Sequence, residues 1–144
     1  MQKTKVLFIC MHNSARSQMA EAFLNAIAGD RFESHSAGLL AGELNPFAVR
    51  VMAEVGIDIS HHKSKDVQHY LNTEKKSFDY CITVCDHASF SARCPVYPGR
   101  NIRIHWGIPD PSALVGSEEE KLAGTRAIRD EIKAKMEEWI GTLP

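Results

Sequence analysis

The 144-residue sequence is long enough for one domain with its own hydrophobic core, without disulfide or metal staples. Its 44% hydrophobic and 24% charged content excludes a disordered chain, a collagen-like repeat and a coiled coil, and a net charge of −1 gives no basic grip for nucleic acid. No apolar run nears the ~20 residues needed to span a bilayer, and no basic segment followed by an apolar one opens the chain as a signal peptide would. The expectation is a cytoplasmic monomer with no nucleic-acid or membrane partner. In that compartment its four cysteines serve catalysis or metal binding sooner than structural disulfides.

Lys5–Cys10 is apolar nearly throughout and predicts a strand buried on both faces. From Ser17 the pattern turns helical, with Met19, Phe23, Leu24 and Ile27 on one face and Gly29 as the C′ residue. Phe32–Gly38 reads as a second strand. Asn45–Pro46 gives an N-cap and a proline at the first helical position of a helix that buries Ala48, Met52 and Val55 and ends at Gly56. Residues 60–77 are polar, with a short helix expected near Lys65–Leu71. Tyr80–Val84 is β-branched and predicts a third strand, and Cys85–Gly99 a loop. Asn101–Trp106 alternates Ile102, Ile104 and Trp106 as a fourth strand, and Gly107–Ser112 is a turn with two prolines. Ser117 and Glu120 form a capping box for a last helix whose stripe is Ile128, Ile132, Met136 and Trp139. Glu118–Glu120 would lie in its first turn, where acids suit the helix dipole. Strands alternating with helices predict a single α/β domain over residues 1–144, built on a parallel sheet. In such sheets the site lies beyond the carboxyl ends of the strands. That singles out the segment after Cys10, the loop from Cys85 and the turn holding Asp110.

Cys10 is followed by Met11, His12, Asn13, Ser14, Ala15, Arg16 and Ser17 between the first strand and the first helix. Backbone N–H groups at a helix N-terminus bind anions and favour a thiolate. The Arg16 guanidinium offers a planar fork for a tetrahedral oxyanion. Ser17 can hydrogen-bond the sulfur, and five residues between Cys10 and Arg16 give enough chain to wrap a phosphate-sized anion. The competing reading is a buried core thiol and a surface arginine. His12 either tunes the loop's field or points outward.

Val6–Cys10 followed by His12–Glu21 (HNSARSQMAE) resembles the signature of low-molecular-weight tyrosine phosphatases and of the arsenate reductases that share their fold. Its Asn-Ser-x-Arg-Ser-Gln-Met-Ala-Glu form is similar to the reductase branch. Ser36-Ala37-Gly38, Gly56–Ser60, Thr83-Val84-Cys85-Asp86 and His105–Pro111 continue the likeness over nearly the whole chain. The resemblance implies a four-stranded parallel sheet flanked by helices, and reduction of arsenate to arsenite with no tightly bound cofactor. It implies that Asp110, in an Asp-Pro turn, is the general acid that protonates the leaving oxygen. It also implies that Cys85 attacks Cys10 and Cys94 then attacks Cys85, leaving a Cys85–Cys94 disulfide for thioredoxin. Eight residues separate Cys85 from Cys94, a longer interval than the family's usual one. Glutathione with glutaredoxin, or mycothiol, are the other candidate electron donors. The alternative is a tyrosine phosphatase using Cys10, Arg16 and Asp110, which would need neither Cys85 nor Cys94; a non-enzymatic redox sensor is a third.

Cys81 lies inside the predicted third strand, where a small apolar thiol packs as core filler. A zinc site from Cys81, Cys85, His87 and Cys94 is disfavoured, since strand residues four apart are separated by roughly 13 Å. His61 and His62 are expected as solvated surface residues, and His105 as a strand residue. Some reductases of this family bind potassium through an Asn, a Glu, a Ser and an Asp. Asn13, Glu21 and Ser36 match three of these, and Lys65, followed by Asp66, stands at the fourth place. The expectation is that the Lys65 ammonium pairs with Glu21 in the cation's stead; the alternatives are that Asp66 shifts to restore the site, or that Lys65 points to solvent.

Overall fold

A computed structural model describes residues 3–84 and 97–143. Strand β1 (Thr4–Cys10) is central, because its apolar run can be covered on both sides: Val6, Phe8 and Cys10 face one layer and Leu7 and Ile9 the other, all buried. It pairs in parallel with β2 (Phe32–Gly38) on one side and β3 (Tyr80–Thr83) on the other, and β3 pairs in parallel with β4 (Ile102–His105). The sheet order is β2-β1-β3-β4. The expected parallel sheet is therefore present, with Phe32–Gly38 bounded as read and β3 and β4 slightly shorter than read.

Helices α1 (Arg16–Ala28), α2 (Pro46–Glu54) and α3 (Glu118–Gly141) share one core with the Phe8 face of the sheet. Ile128, Ile132, Met136 and Trp139 of α3 are all buried, as their spacing predicts, each such burial contributing about 1.5–3 kcal/mol. Arg129 crosses from α3 to α2, donating to the Val51 carbonyl at 2.8 Å and to Glu54 at 3.0 Å, which satisfies a carbonyl near the end of α2. Both predicted starts hold. The Asn45 Oδ1 accepts from the Phe47 and Ala48 amides, with Pro46 at the first helical position. Ser117 and Glu120 form the capping box, ahead of three glutamates in the first turn.

Three apolar residues leave their predicted faces. Ile27 is 41% and Val55 42% exposed because each lies at the end of its helix, past the edge of the packed layer. Ile102 is 57% exposed because β4 is an edge strand. Gly29 ends α1 but stays right-handed (φ −62°), so the left-handed cap expected there does not form. The helix expected near Lys65–Leu71 is present from residue 67 and continues as a π-helical turn at His69–Thr73. It covers the Leu7 face of the sheet, where Tyr70, Phe78, Cys81 and Tyr97 build a second core. No helix among the described residues is long and apolar enough to cross a membrane.

Candidate active site

The carboxyl end of β1 delivers Cys10 into a loop over residues 11–15, and α1 starts at Arg16. The loop's carbonyl groups are taken up on its outside. Leu39, Leu40, Gly42 and Asn45 donate their amides to the carbonyls of Cys10, Met11, His12 and Ser14. Gln18 Nε2 and Ser64 Oγ donate to the Asn13 carbonyl, and the Met19 amide to that of Ala15. The amides of Met11, His12, Ser14 and Ala15 meet no acceptor among the described residues. A loop with its acceptors spent and its donors spare is a cradle for an oxyanion. Gly38 permits the close approach: a Cβ there would lie 2.7 Å from the Asn13 amide nitrogen and 2.8 Å from the His12 carbonyl carbon.

Cys10 is 2% exposed, and two donors reach its sulfur, the Ser17 hydroxyl at 2.9 Å and the Asn13 amide at 3.2 Å. Asn13 holds a left-handed backbone (φ 53°), which an Asn tolerates better than most residues and which turns its amide toward the sulfur. Its side chain then sets the sense of a hydrogen-bond chain. Asn13 Nδ2 donates to Ser17 Oγ at 2.8 Å, so the Ser17 hydroxyl proton is left to point at Cys10. Asn13 Oδ1 accepts from Gln18 Nε2 at 3.0 Å, which leaves Gln18 Oε1 to accept from His62 Nδ1 at 2.9 Å. Every proton along the chain from His62 points toward the sulfur. Burial pushes the His62 pKa down, against the opposing pull of Glu21, so the ring favours its neutral form.

Arg16 is buried at the loop's far end. One of its nitrogens donates to the Ile108 carbonyl at 3.1 Å, and the other lies 3.7 Å from the Asp110 carboxylate. Asp110 Oδ1 accepts from the Ser112 amide at 2.9 Å, which fixes the Asp-Pro turn at the start of the short helical turn Pro111–Ala113. Asn45 Nδ2 reaches Ser112 Oγ at 3.0 Å and ties this turn to the start of α2. The result is a thiol, a guanidinium and a half-exposed carboxylate at one mouth.

Residues 5–144 match the family model described as low molecular weight phosphotyrosine protein phosphatase. The chain belongs to that family. Within it, the chain is 43% identical over 137 residues to arsenate reductase 1 of Staphylococcus epidermidis, covering 95% of this chain and 96% of that one. It is 39% identical over 142 residues to the arsenate reductase of Halalkalibacterium halodurans, covering 99% of both. Among solved structures it resembles the thioredoxin-dependent arsenate reductase of Corynebacterium glutamicum, with a TM-score of 0.70, 31% identity, and coverage of 97% of this chain and 61% of that chain.

Read as a family member, the structure brings Cys10, Asn13, Arg16, Ser17 and Asp110 together. Cys85 and Cys94, with His87 of the disfavoured zinc set, lie outside the described residues. His12 is exposed. Two expectations need correction. His62 is not a solvated surface residue, because its ring packs inward to reach Gln18. The Lys65 ammonium does not pair with Glu21; it donates to the Lys63 carbonyl at 2.9 Å, while the Lys65 amide donates to Asn13 Oδ1 at 2.8 Å. The proposed potassium ligands are already engaged: Asn13 Oδ1 by two donors, Glu21 by the Ser36 hydroxyl, and Asp66 Oδ1 by the His69 amide. Sequence reasoning assigned no role to Gln18; its amide, directly after the Arg16-Ser17 pair, was the available signal.

Proposed function

We propose that this protein is an arsenate reductase that passes its oxidation to thioredoxin. The observation that carries the chemistry is a thiol under two donors beside Arg16 and Asp110. The full-length likeness to proteins named arsenate reductases supports the choice of oxyanion. Arsenate sits in the loop, its oxygens held by the free amides and the Arg16 fork. The Cys10 sulfur forms a bond to arsenic as one arsenic–oxygen bond breaks, and Asp110 gives that oxygen the proton it leaves with as water.

A second thiolate then attacks Cys10 Sγ. The sulfur–arsenic bond breaks with its electron pair on arsenic, which leaves as arsenite, and a disulfide remains. In our reading the attacking thiol is Cys85, and Cys94 next attacks Cys85 Sγ, releasing Cys10 and forming Cys85–Cys94 for thioredoxin to reduce. No tightly bound cofactor and no potassium ion enters this sequence, and the enzyme works as a cytoplasmic monomer. A phosphatase would use the same Cys10, Arg16 and Asp110 and leave Cys85 and Cys94 without a task.

Steady-state arsenate reduction with NADPH, thioredoxin reductase and thioredoxin tests the reading, with glutathione plus glutaredoxin, and mycothiol, as parallel donors. Sustained turnover with thioredoxin is expected. Hydrolysis of an aryl phosphate at a higher kcat/KM than arsenate reduction would favour the phosphatase instead.

A further inference from the structure

Four thiols occur in the chain, and the relay proposed above uses three. The fourth, Cys81, stands only four residues before Cys85, so sequence distance alone does not keep it out of the exchange. The tertiary structure does. Cys81 sits in β3 in register with Leu7 of β1 and Arg103 of β4, and is 3% exposed. Around it the second core closes: Tyr70 meets Phe78 edge-on at 5.5 Å, and Phe78 meets Tyr97 edge-on at 5.1 Å. Burial drives the Cys81 pKa up to about 12, against a smaller opposing effect of Arg103. At neutral pH its thiolate fraction is then on the order of one in 10⁵, and only thiolates exchange.

Among the aromatic residues of this shell, Tyr97 lies nearest Cys85 and Cys94 in the chain, three positions after Cys94. It is held from both ends. Its hydroxyl donates to the Lys76 carbonyl. Its own carbonyl accepts from Asn101 Nδ2 at 3.3 Å and from Arg103 Nη2 at 3.4 Å. Arg103 is also the register partner of Cys81, so the same guanidinium ties Tyr97 over the strand position where the silent thiol lies. Burial also pushes the Tyr97 pKa up, with the neighbouring Cys81 adding to the shift.

We propose that Tyr97 is a fidelity residue of the thiol relay: its ring closes the second core over Cys81, so that exchange passes only among Cys10, Cys85 and Cys94. The proposal rests on the relay reading above. The side reaction it prevents balances without any outside reagent. An uncovered Cys81 thiolate would attack the Cys85–Cys94 disulfide at Cys94 Sγ. That bond would break, Cys81–Cys94 would form, and the electron pair would leave on Cys85 as thiolate. The new disulfide would be anchored in the sheet, out of a reductant's reach, and turnover would stall.

The test uses the full chain as wild type, Tyr97→Phe, Tyr97→Leu, Tyr97→Ala, Cys81→Ala and the double variant Tyr97→Ala/Cys81→Ala. Iodoacetamide labelling of the reduced proteins, read by peptide mass, should find Cys81 silent in wild type and Tyr97→Phe. It should alkylate at least about tenfold faster in Tyr97→Ala, with Tyr97→Leu between them. After one arsenate turnover, Tyr97→Ala should show disulfides containing Cys81, and thioredoxin-driven turnover should fall. Cys81→Ala in that background should restore turnover, which a merely structural role for the ring would not allow. If Tyr97→Ala does not fold, Tyr97→Leu carries the same readouts. Cys81 as silent in the truncated variant as in wild type, or turnover not restored by the double variant, would overturn the proposal. Absence of a Cys85–Cys94 disulfide in wild type would remove the relay and the proposal with it; the labelling, which needs no arsenate, separates that failure from a failure of the ring to cover Cys81.

Discussion

Asn13 is where the anion loop is most exposed to a single substitution. It is fully buried, left-handed, and makes three side-chain hydrogen bonds: from the Lys65 amide, from Gln18 Nε2, and to Ser17 Oγ. Asn13→Gly keeps the backbone unstrained and deletes all three. The Lys65 amide loses its acceptor, at about 1–3 kcal/mol, and the other two bonds are worth about 1 kcal/mol each, so a loss of about 3–5 kcal/mol is expected. Asn13→Ala adds a left-handed penalty of about 1–2 kcal/mol, offset in part by the lower chain entropy of alanine, and should be less stable than glycine by about 1 kcal/mol. Asn13→Asp tests chemistry apart from stability. It keeps both acceptor bonds but loses the donor to Ser17, whose hydroxyl proton then turns to the new carboxylate and away from Cys10. Losing a hydrogen bond to a charged sulfur costs about 1.5–3 kcal/mol, or about 10–150-fold in rate. Urea denaturation measures the first pair, and single-turnover arsenite release measures the third. Asn13→Gly falling below Asn13→Ala in stability, or Asn13→Asp releasing arsenite at the wild-type rate, would refute the account of this loop.

Gly38→Ala should cost about 1–3 kcal/mol of stability and lower kcat/KM, because its Cβ collides with backbone of the anion loop and of Leu40 rather than with side chains that can yield; a urea midpoint equal to wild type would contradict the close approach. Cys10→Ser should fold and give no turnover, and Arg16→Lys should lose most of kcat/KM, since a point charge cannot reproduce the guanidinium fork; near-native rates in either remove the assigned role. Cys94→Ser should release about one arsenite per enzyme and then stop, so full thioredoxin-driven turnover in it would rule out Cys94 as the resolving thiol. Glu54 is held at about 2, chiefly by its hydrogen bonds from Arg126 and then Arg129, below the 4.5 of a free side chain. A depressed carboxylate stabilises the fold above its unfolded pKa and loses that contribution as pH falls toward the folded value. Wild type should therefore lose more stability than Glu54→Gln between pH 5 and pH 3; equal slopes in urea titrations would show the pairs to be inert.

Much of this molecule is written locally. The apolar run of β1 can only be a strand covered on both faces, and Asn45-Pro46 and Ser117-x-x-Glu120 start their helices because their side chains satisfy amides one turn away. The candidate nucleophile was legible for the same reason, since Cys10, Arg16 and Ser17 lie within one loop and helix start. What the sequence could not set was any partnership across the chain. Whether Ile102 is inside depends on β4 being an edge strand, a fact of sheet order. The inward turn of His62 depends on Gln18, 44 residues away, and the fate of the Lys65 ammonium on a carbonyl nearer than Glu21. The spacing of Asp110 says nothing of its distance from Arg16, which packing of the Asp-Pro turn against the anion loop brings to 3.7 Å. Local hydrogen bonds and periodicity are short-range and readable in order along the chain. Buried polar networks are settled only when distant segments compete for the same donors and acceptors, and that competition is decided by the fold.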